Sequence, residues 1–137
     1  MIIGIGTDIT SADRFTHLIN HERFLKRLLT QNELKYYYDK YNTDAVHQIH
    51  KKSLFLAKRW ATKEAVSKAL GTGIGRKCSF QDIETSRDLN GKPLVHLSPL
   101  LLKKLPQFKE NLEVHLSYSD EKNIIIAFVI IVLSKNS

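Results

Sequence analysis

Two carboxylates in the 137-residue sequence are set apart by their neighbours. Asp8 closes the run Ile2 to Ile9, in which Ile3, Ile5, Thr7 and Ile9 alternate with Ile2, Gly4, Gly6 and Asp8. The strand face that presents Asp8 is thus cleared by two glycines. Glu64 lies in a long helical pattern and shares a face with Ala57, Trp60, Ala61 and Lys68, because positions three, four and seven apart align. Each acid has an ordinary explanation. Asp8 can cap a following helix, and Glu64 can pair with Lys68 for about 0.2–0.5 kcal/mol. Together they admit another. Two hard oxygen donors suit Mg²⁺, which takes one or two carboxylates and completes its octahedron with water and substrate phosphates. Lys68, one turn from Glu64, would then neutralise phosphate charge. Spacing alone leaves both readings open.

Other candidates carry less. The GTGIG stretch from Gly71 to Gly75, followed by Arg76 and Lys77, offers backbone N–H groups to a phosphate. It is neither a Walker A loop nor a dinucleotide fingerprint, and a helix cap followed by a turn explains it equally well. Lys51, Lys52, Lys58, Arg59 and Lys63 read as a solvated face. His47 and His50 are three apart without a third ligand at metal spacing, and read as surface residues. Cys78 stands beside Arg76 and Lys77, a setting that lowers a thiol pKa. No His or Asp is arranged with it for nucleophilic catalysis, so it reads as a structural thiol.

The elements that must position these residues follow from periodicity and caps. Ile2 to Ile9 reads as a strand, and Ala12 to Leu29 as helix in one or two pieces bearing Arg14, Arg23, Lys26 and Arg27. Thr30-Gln31-Asn32-Glu33 is a capping box that opens a helix carrying Tyr36 to Tyr38. A long helix, apolar nearly all round and hence mostly buried, runs from about Asp44 to Leu70 and stops at Gly71. Phe80 to Asp88 reads as a strand, returned by the Asn90-Gly91 hairpin signal into Pro93 to Leu97. Ser98-Pro99 opens a short helix to about Leu105. Leu112 to Tyr118 and the Ile-Val-rich Ile124 to Leu133 form a second strand pair. With no linker or repeat, residues 1–137 read as one α+β domain: a small antiparallel sheet on one long buried helix, with short helices.

Composition narrows the class. Hydrophobic residues make up 42% and charged residues 26%, as in an ordinary globular protein and unlike a disordered one. The net charge of +7 calls for an anionic partner without specifying nucleic acid, membrane, phosphate ligand or acidic protein. A lone cysteine excludes an internal disulfide and suits a reducing compartment. The longest apolar run, ten residues from Ile124, is too short to span a bilayer, and MIIGIGTDI lacks the features of a signal peptide. The chain reads as soluble and cytoplasmic, with no membrane insertion.

GIGTDI at 4–9, Arg14, FLAKRWATKEAVSKALGTGIG at 55–75, Phe80-Gln81-Asp82-Ile83, Asn90-Gly91-Lys92-Pro93 and VHLSYS at 114–119 occur in that order over nearly the whole chain. In these segments it resembles the bacterial holo-acyl-carrier-protein synthases, the short AcpS-type 4′-phosphopantetheinyl transferases. The resemblance implies Mg²⁺-dependent transfer of phosphopantetheine from coenzyme A to a serine of apo acyl carrier protein, in fatty acid biosynthesis, with release of adenosine 3′,5′-bisphosphate. Asp8 and Glu64 match the family's metal ligands and Lys68 its active-site lysine, and these three are the implied catalytic residues. Lys68, Gly71, Thr72, Gly73, Asn90, Gly91, Lys92, Pro93 and Ser117 match coenzyme A-binding positions. Arg14, Arg23 and Arg27 match the surface that receives the acidic carrier protein, whose encounter rate the positive charge raises and salt lowers. A homotrimer with sites between neighbouring protomers is implied as well.

Two departures stand against the family pattern. Ser117-Tyr118-Ser119-Asp120 replaces S-x-S-H, putting a carboxylate where a histidine lies near the coenzyme phosphates, and Lys35 replaces an aspartate proposed elsewhere as the serine-activating base. They bear on rate and mechanism more than on class. Asp120 gives the motive for a second reading, a member that binds carrier protein without turnover. A third is a basic nucleic-acid-binding module using Tyr36 to Tyr38 to stack on bases, for which no motif is present.

Overall fold

The computed structural model describes residues 1–43, 45–108 and 111–134. Strand β1 (Ile2–Ser11) pairs antiparallel with β5 (Ile124–Leu133), which pairs antiparallel with β4 (Leu112–Glu121), giving the sheet order β1-β5-β4. A separate hairpin joins β2 (Ile83–Arg87) to β3 (Pro93–Leu97). The helices are α1 (Glu22–Leu28), α2 (Gln31–Lys40), α3 (Val46–Leu70) and α4 (Pro99–Lys104), with 3-10 segments at Ala12–Leu18 and Phe80–Asp82. Asp44, the expected start of the long helix, lies outside the described residues.

Helix α3 is the core element, and the sheet lies against it. Ala57, Ala61 and Ala65 on α3 are fully buried, as are Ile125, Ala127, Val129 and Ile131 on β5. β1 comes closest of all. A methyl placed on Gly4 would sit 1.8 Å from the Ala69 carbonyl oxygen, and one on Gly6 would sit 2.0 Å from that of Ala65. The two glycines therefore clear the Asp8 face for the backbone of a helix. α3 ends as expected, with Gly71 at φ +80° and its N–H returned to the carbonyls of Ser67 and Lys68. The capping box at Thr30 is also formed, with Thr30 Oγ1 accepting from Glu33 N–H and Glu33 Oε1 accepting from Thr30 N–H.

Three expectations need correction. The alternation of β1 fails at its start, because a bulge between Ile2 and Gly4 leaves Ile2 exposed and turns Ile3 toward the core. The strand expected from Phe80 begins only at Ile83. Asp82 bonds back to the N–H and hydroxyl of Ser79 and to the Ser98 hydroxyl, which curls residues 80–82 into a 3-10 turn. The basic run of α3 is not a solvated face: Lys52 and Arg59 are buried and Lys63 is fully so. Lys63 Nζ donates to Glu33 Oε1 at 2.6 Å, to the Leu28 carbonyl at 2.7 Å and to the Phe80 carbonyl at 3.0 Å.

Gly6→Ala is expected to cost about 3 kcal/mol or to prevent folding, since its methyl must displace helix backbone. Gly75→Ala, whose methyl meets nothing within 4 Å, should change stability by less than about 0.5 kcal/mol. Urea unfolding of both variants checks the contrast; equal stabilities would refute the close-packing account.

Candidate functional site

The approach of β1 to α3 brings Asp8 beside the Glu64–Lys68 edge of the helix. Lys68 Nζ donates to Asp8 Oδ1 at 3.1 Å and to the Thr7 carbonyl at 3.0 Å. Asp8 Oδ2 is buried and has no hydrogen-bond partner among the described residues. Burial pushes the Glu64 carboxyl above its ordinary pKa and the Asp8 charge adds to the rise, while Lys68 and Arg14 oppose it. Glu64, whose carboxyl is pushed up beside the Asp8 charge, and Asp8, with its orphaned buried oxygen, have the chemistry of a hard divalent cation site. Among the described residues no cluster of three or more His, Cys, Asp or Glu forms a metal site. Two acids suit Mg²⁺, which keeps water and substrate oxygens in its shell.

Arg14 adjoins this pair. Its guanidinium lies over the Trp60 ring at 5.2 Å and donates to Thr10 Oγ1. Trp60 is one turn before Glu64 on α3 and belongs to an aromatic cluster with Phe15, Phe24 and Phe80. Arg27 lies over Phe80 on the same cluster, and Arg23 is exposed on α1. The three arginines are thus exposed, two of them on one aromatic floor.

The remaining expected residues lie elsewhere. The N–H groups of Gly71, Thr72 and Gly73 are spent on the carbonyls of Lys68 and Ser67. These amides serve the helix cap, the alternative that the sequence offered for this stretch. Asn90, Gly91 and Lys92 form the tip of the β2–β3 hairpin. Asp88 Oδ1 accepts from the N–H groups of Asn90 and Lys92, and Gly91 takes φ +82° while Asn90 does not. The tip is therefore a turn closed by one left-handed glycine. Pro93 begins β3. Ser117 is exposed on β4, whose inward side carries Val114, Leu116 and Tyr118, so it faces away from Asp8.

A second cluster was invisible to sequence reasoning. Arg59 and Arg87 line two adjoining cavities, one of about 350 Å³ with Glu33, Tyr36, Glu84 and Thr85, the other of about 180 Å³ with Tyr41, Lys51 and Lys58. Arg87 also donates to the Gly91 carbonyl, tying the cationic wall to the hairpin. The signal lay in the basic run of α3, whose spacing does not reveal which members turn inward. Asp120 Oδ2 lies 3.6 Å from Lys58 Nζ, so the carboxylate at the family's histidine position faces a cation. Lys35 pairs with Asp39 at 2.7 Å on the exposed side of α2. Tyr37, named in the base-stacking reading, is buried and donates to the Ile19 carbonyl, whereas Tyr36 and Tyr38 are partly exposed.

A family model for the 4′-phosphopantetheinyl transferase superfamily matches residues 4–129. The chain belongs to this superfamily. It is 43% identical over 132 residues to the holo-[acyl-carrier-protein] synthase of Bacillus subtilis, covering 96% of each chain. The crystal structure of the Neisseria meningitidis holo-[acyl-carrier-protein] synthase superimposes with a TM-score of 0.78 at 39% identity, covering 96% of this chain and 99% of that one. A Bacillus anthracis holo-(acyl-carrier-protein) synthase solved in complex with CoA (3′,5′-ADP) matches with a TM-score of 0.75 at 36% identity, covering 98% and 99%. The α+β transferase fold expected from the sequence is the observed one. No helix among the described residues is long and apolar enough to cross a membrane.

The Cys78 thiol is fully buried, and burial, more than the nearby Asp82 charge, pushes its pKa up to about 11. The rise opposes the effect expected of Arg76 and Lys77. At pH 8 only about one thiol in a thousand is then ionised, so the folded protein should resist iodoacetamide and react at once in urea. Intact-mass measurement checks this; rapid labelling of the native chain would refute the buried-thiol assignment.

Proposed function

We propose that the chain transfers 4′-phosphopantetheine from coenzyme A to a serine hydroxyl of an apo acyl carrier protein, releasing adenosine 3′,5′-bisphosphate. It acts as a single transferase domain, in the cytoplasm and in the service of fatty acid biosynthesis. The observation that carries this reading is the Asp8–Glu64 pair with its orphaned buried oxygen, in a chain whose relatives are holo-acyl-carrier-protein synthases.

Asp8 and Glu64 are the residues that would hold Mg²⁺. The ion would supply charge neutralisation for the pyrophosphate of coenzyme A. Lys68, half-exposed and bonded to Asp8 Oδ1, orients that carboxylate and keeps a positive charge where negative charge develops on the transferring phosphoryl group. The basic cavities at Arg59 and Arg87 and the hairpin tip at Asn90 to Pro93 suit the anionic nucleotide half of the coenzyme. Lys58 offsets the charge of Asp120 there, so this carboxylate is compatible with a bound phosphate. The cap at Gly71 to Gly73 contributes space and a tight turn in place of amide donors. Arg14 beside the carboxylate pair, with Arg23 and Arg27 on the neighbouring surface, would present positive charge to the acidic carrier protein and so bring its serine toward the phosphorus.

The two clusters lie on different sides of α3, since Arg59 and Glu64 are five positions apart and so about 140° around the axis. The outer face of the sheet exposes Ile5 (63%), Ile9 (63%), Ile126 (40%) and Phe128 (44%). A contiguous apolar face of this kind marks an interaction surface. We read it as the contact between copies in a homotrimer. One copy's carboxylates would then meet a neighbour's cationic cavity, and the outward Ser117 would lie at the shared boundary.

Apo acyl carrier protein incubated with the chain, coenzyme A and Mg²⁺ is expected to gain the mass of phosphopantetheine, and EDTA should abolish the gain. Asp8→Asn and Glu64→Gln should lower the rate by at least about 100-fold while leaving the fold intact. Wild-type rates in either folded variant would remove the metal-ligand assignment. Arg14→Ala should raise the KM for carrier protein about tenfold at low salt and flatten its salt dependence. An unchanged KM would show that docking lies elsewhere.

A further inference from the structure

Glu33 was legible as a capping residue, and the structure gives it more to do. It is buried on α2, and its two oxygens reach the cap of its own helix and two other elements, α3 and β2. Oε1 accepts from Thr30 N–H at 2.9 Å and from Lys63 Nζ on α3 at 2.6 Å. Oε2 accepts from the N–H of Thr85 on β2 at 3.0 Å and from its hydroxyl at 2.8 Å. Oε2 also stands 3.6 Å from Nε of Arg59, a residue only 6% exposed. That Nε has no hydrogen-bond partner among the described residues, and the guanidinium rests 4.4 Å above the Phe55 ring. Arg59 is thus held by the Glu33 charge and by stacking on Phe55, each of which lines one of the two cavities beside it.

The charge count explains the arrangement. Glu33 alone against Arg59 would form a closed pair with no remaining attraction for an anion. Lys63 adds a second buried cation and Arg87 a further positive charge, so against Glu33 and Glu84 the cavity wall carries one net positive charge. Four donors also fix Glu33, so it cannot swing out to chelate Arg59 bidentately. We propose that Glu33, locked by Lys63 and Thr85, is a positioning residue that holds the Arg59 guanidinium toward the cavity for an anionic group of coenzyme A. This rests on the reading of the cavity as the coenzyme site.

The test is a double-mutant cycle on coenzyme A binding to the full chain with Mg²⁺, followed by calorimetry. Arg59→Met should weaken binding at least about tenfold. Glu33→Gln with Lys63→Met removes both charges of the buried pair at similar volume, and should weaken binding about tenfold in the wild-type background. In the Arg59→Met background it should add less than about twofold, which a general loss of structure would not reproduce. Thr85→Val keeps all charges and removes one donor to Glu33; an effect of about threefold, again dependent on Arg59, is expected even if the paired variant does not fold. If Arg59→Met binds like wild type, the cavity reading falls and the proposal with it. If Arg59→Met weakens binding but Thr85→Val and any folded Glu33 variant do not, or weaken it equally without Arg59, the cavity stands and the positioning role is refuted.

Discussion

The backbone contact between β1 and α3 is the constraint on which the rest of the molecule depends. No side chain separates Gly4 and Gly6 from the carbonyls of Ala69 and Ala65. Any larger residue would lift the strand away by the thickness of a side chain. Through its pairing with β5, and that of β5 with β4, this contact sets how closely the sheet lies on the helix. It also sets the reach of Asp8, whose bond to Lys68 links residues 60 positions apart.

Two charged groups grow from the same helix in opposite environments. Asp8, Glu64, Lys68 and Arg14 lie at a partly open edge, where an incoming ligand can take over their mutual interactions. Glu33, Lys63 and Arg59 are enclosed. Burial pulls the Lys63 ammonium below the usual lysine range, against the Glu33 charge. Such a pair is a poor source of stability, because desolvation consumes most of its attraction. Its value lies in direction: it joins α2, α3 and β2, which otherwise touch at few points. A single helix thus carries both the Glu64–Lys68 edge beside Asp8 and the base of the cavity lined by Arg59.

Much of this was legible in local spacing. The capping box at Thr30, the stop at Gly71 and the start at Ser98-Pro99 depend on neighbours within four residues, and all three formed. The features that escaped are set by partners far away. Lys63 and Arg59 read as surface residues because Glu33 is some thirty positions upstream, and a helix apolar nearly all round does not indicate which cations turn inward. The curl at Phe80–Asp82 needed Ser98, and the bulge after Ile2 needed the register of β5. Asp8 and Glu64 were visible as candidates, but spacing could not bring them together; the family resemblance did so.

The apolar outer face of the sheet and the positive charge of the chain make ionic strength act in two directions. Copies carrying +7 each repel one another, so added salt would screen that repulsion and favour the proposed contact through Ile5, Ile9, Ile126 and Phe128. The same salt weakens the attraction between a basic surface and an acidic partner. For an enzyme whose site is shared between copies, catalytic output would then peak at an intermediate ionic strength, and the position of that peak would move with enzyme concentration.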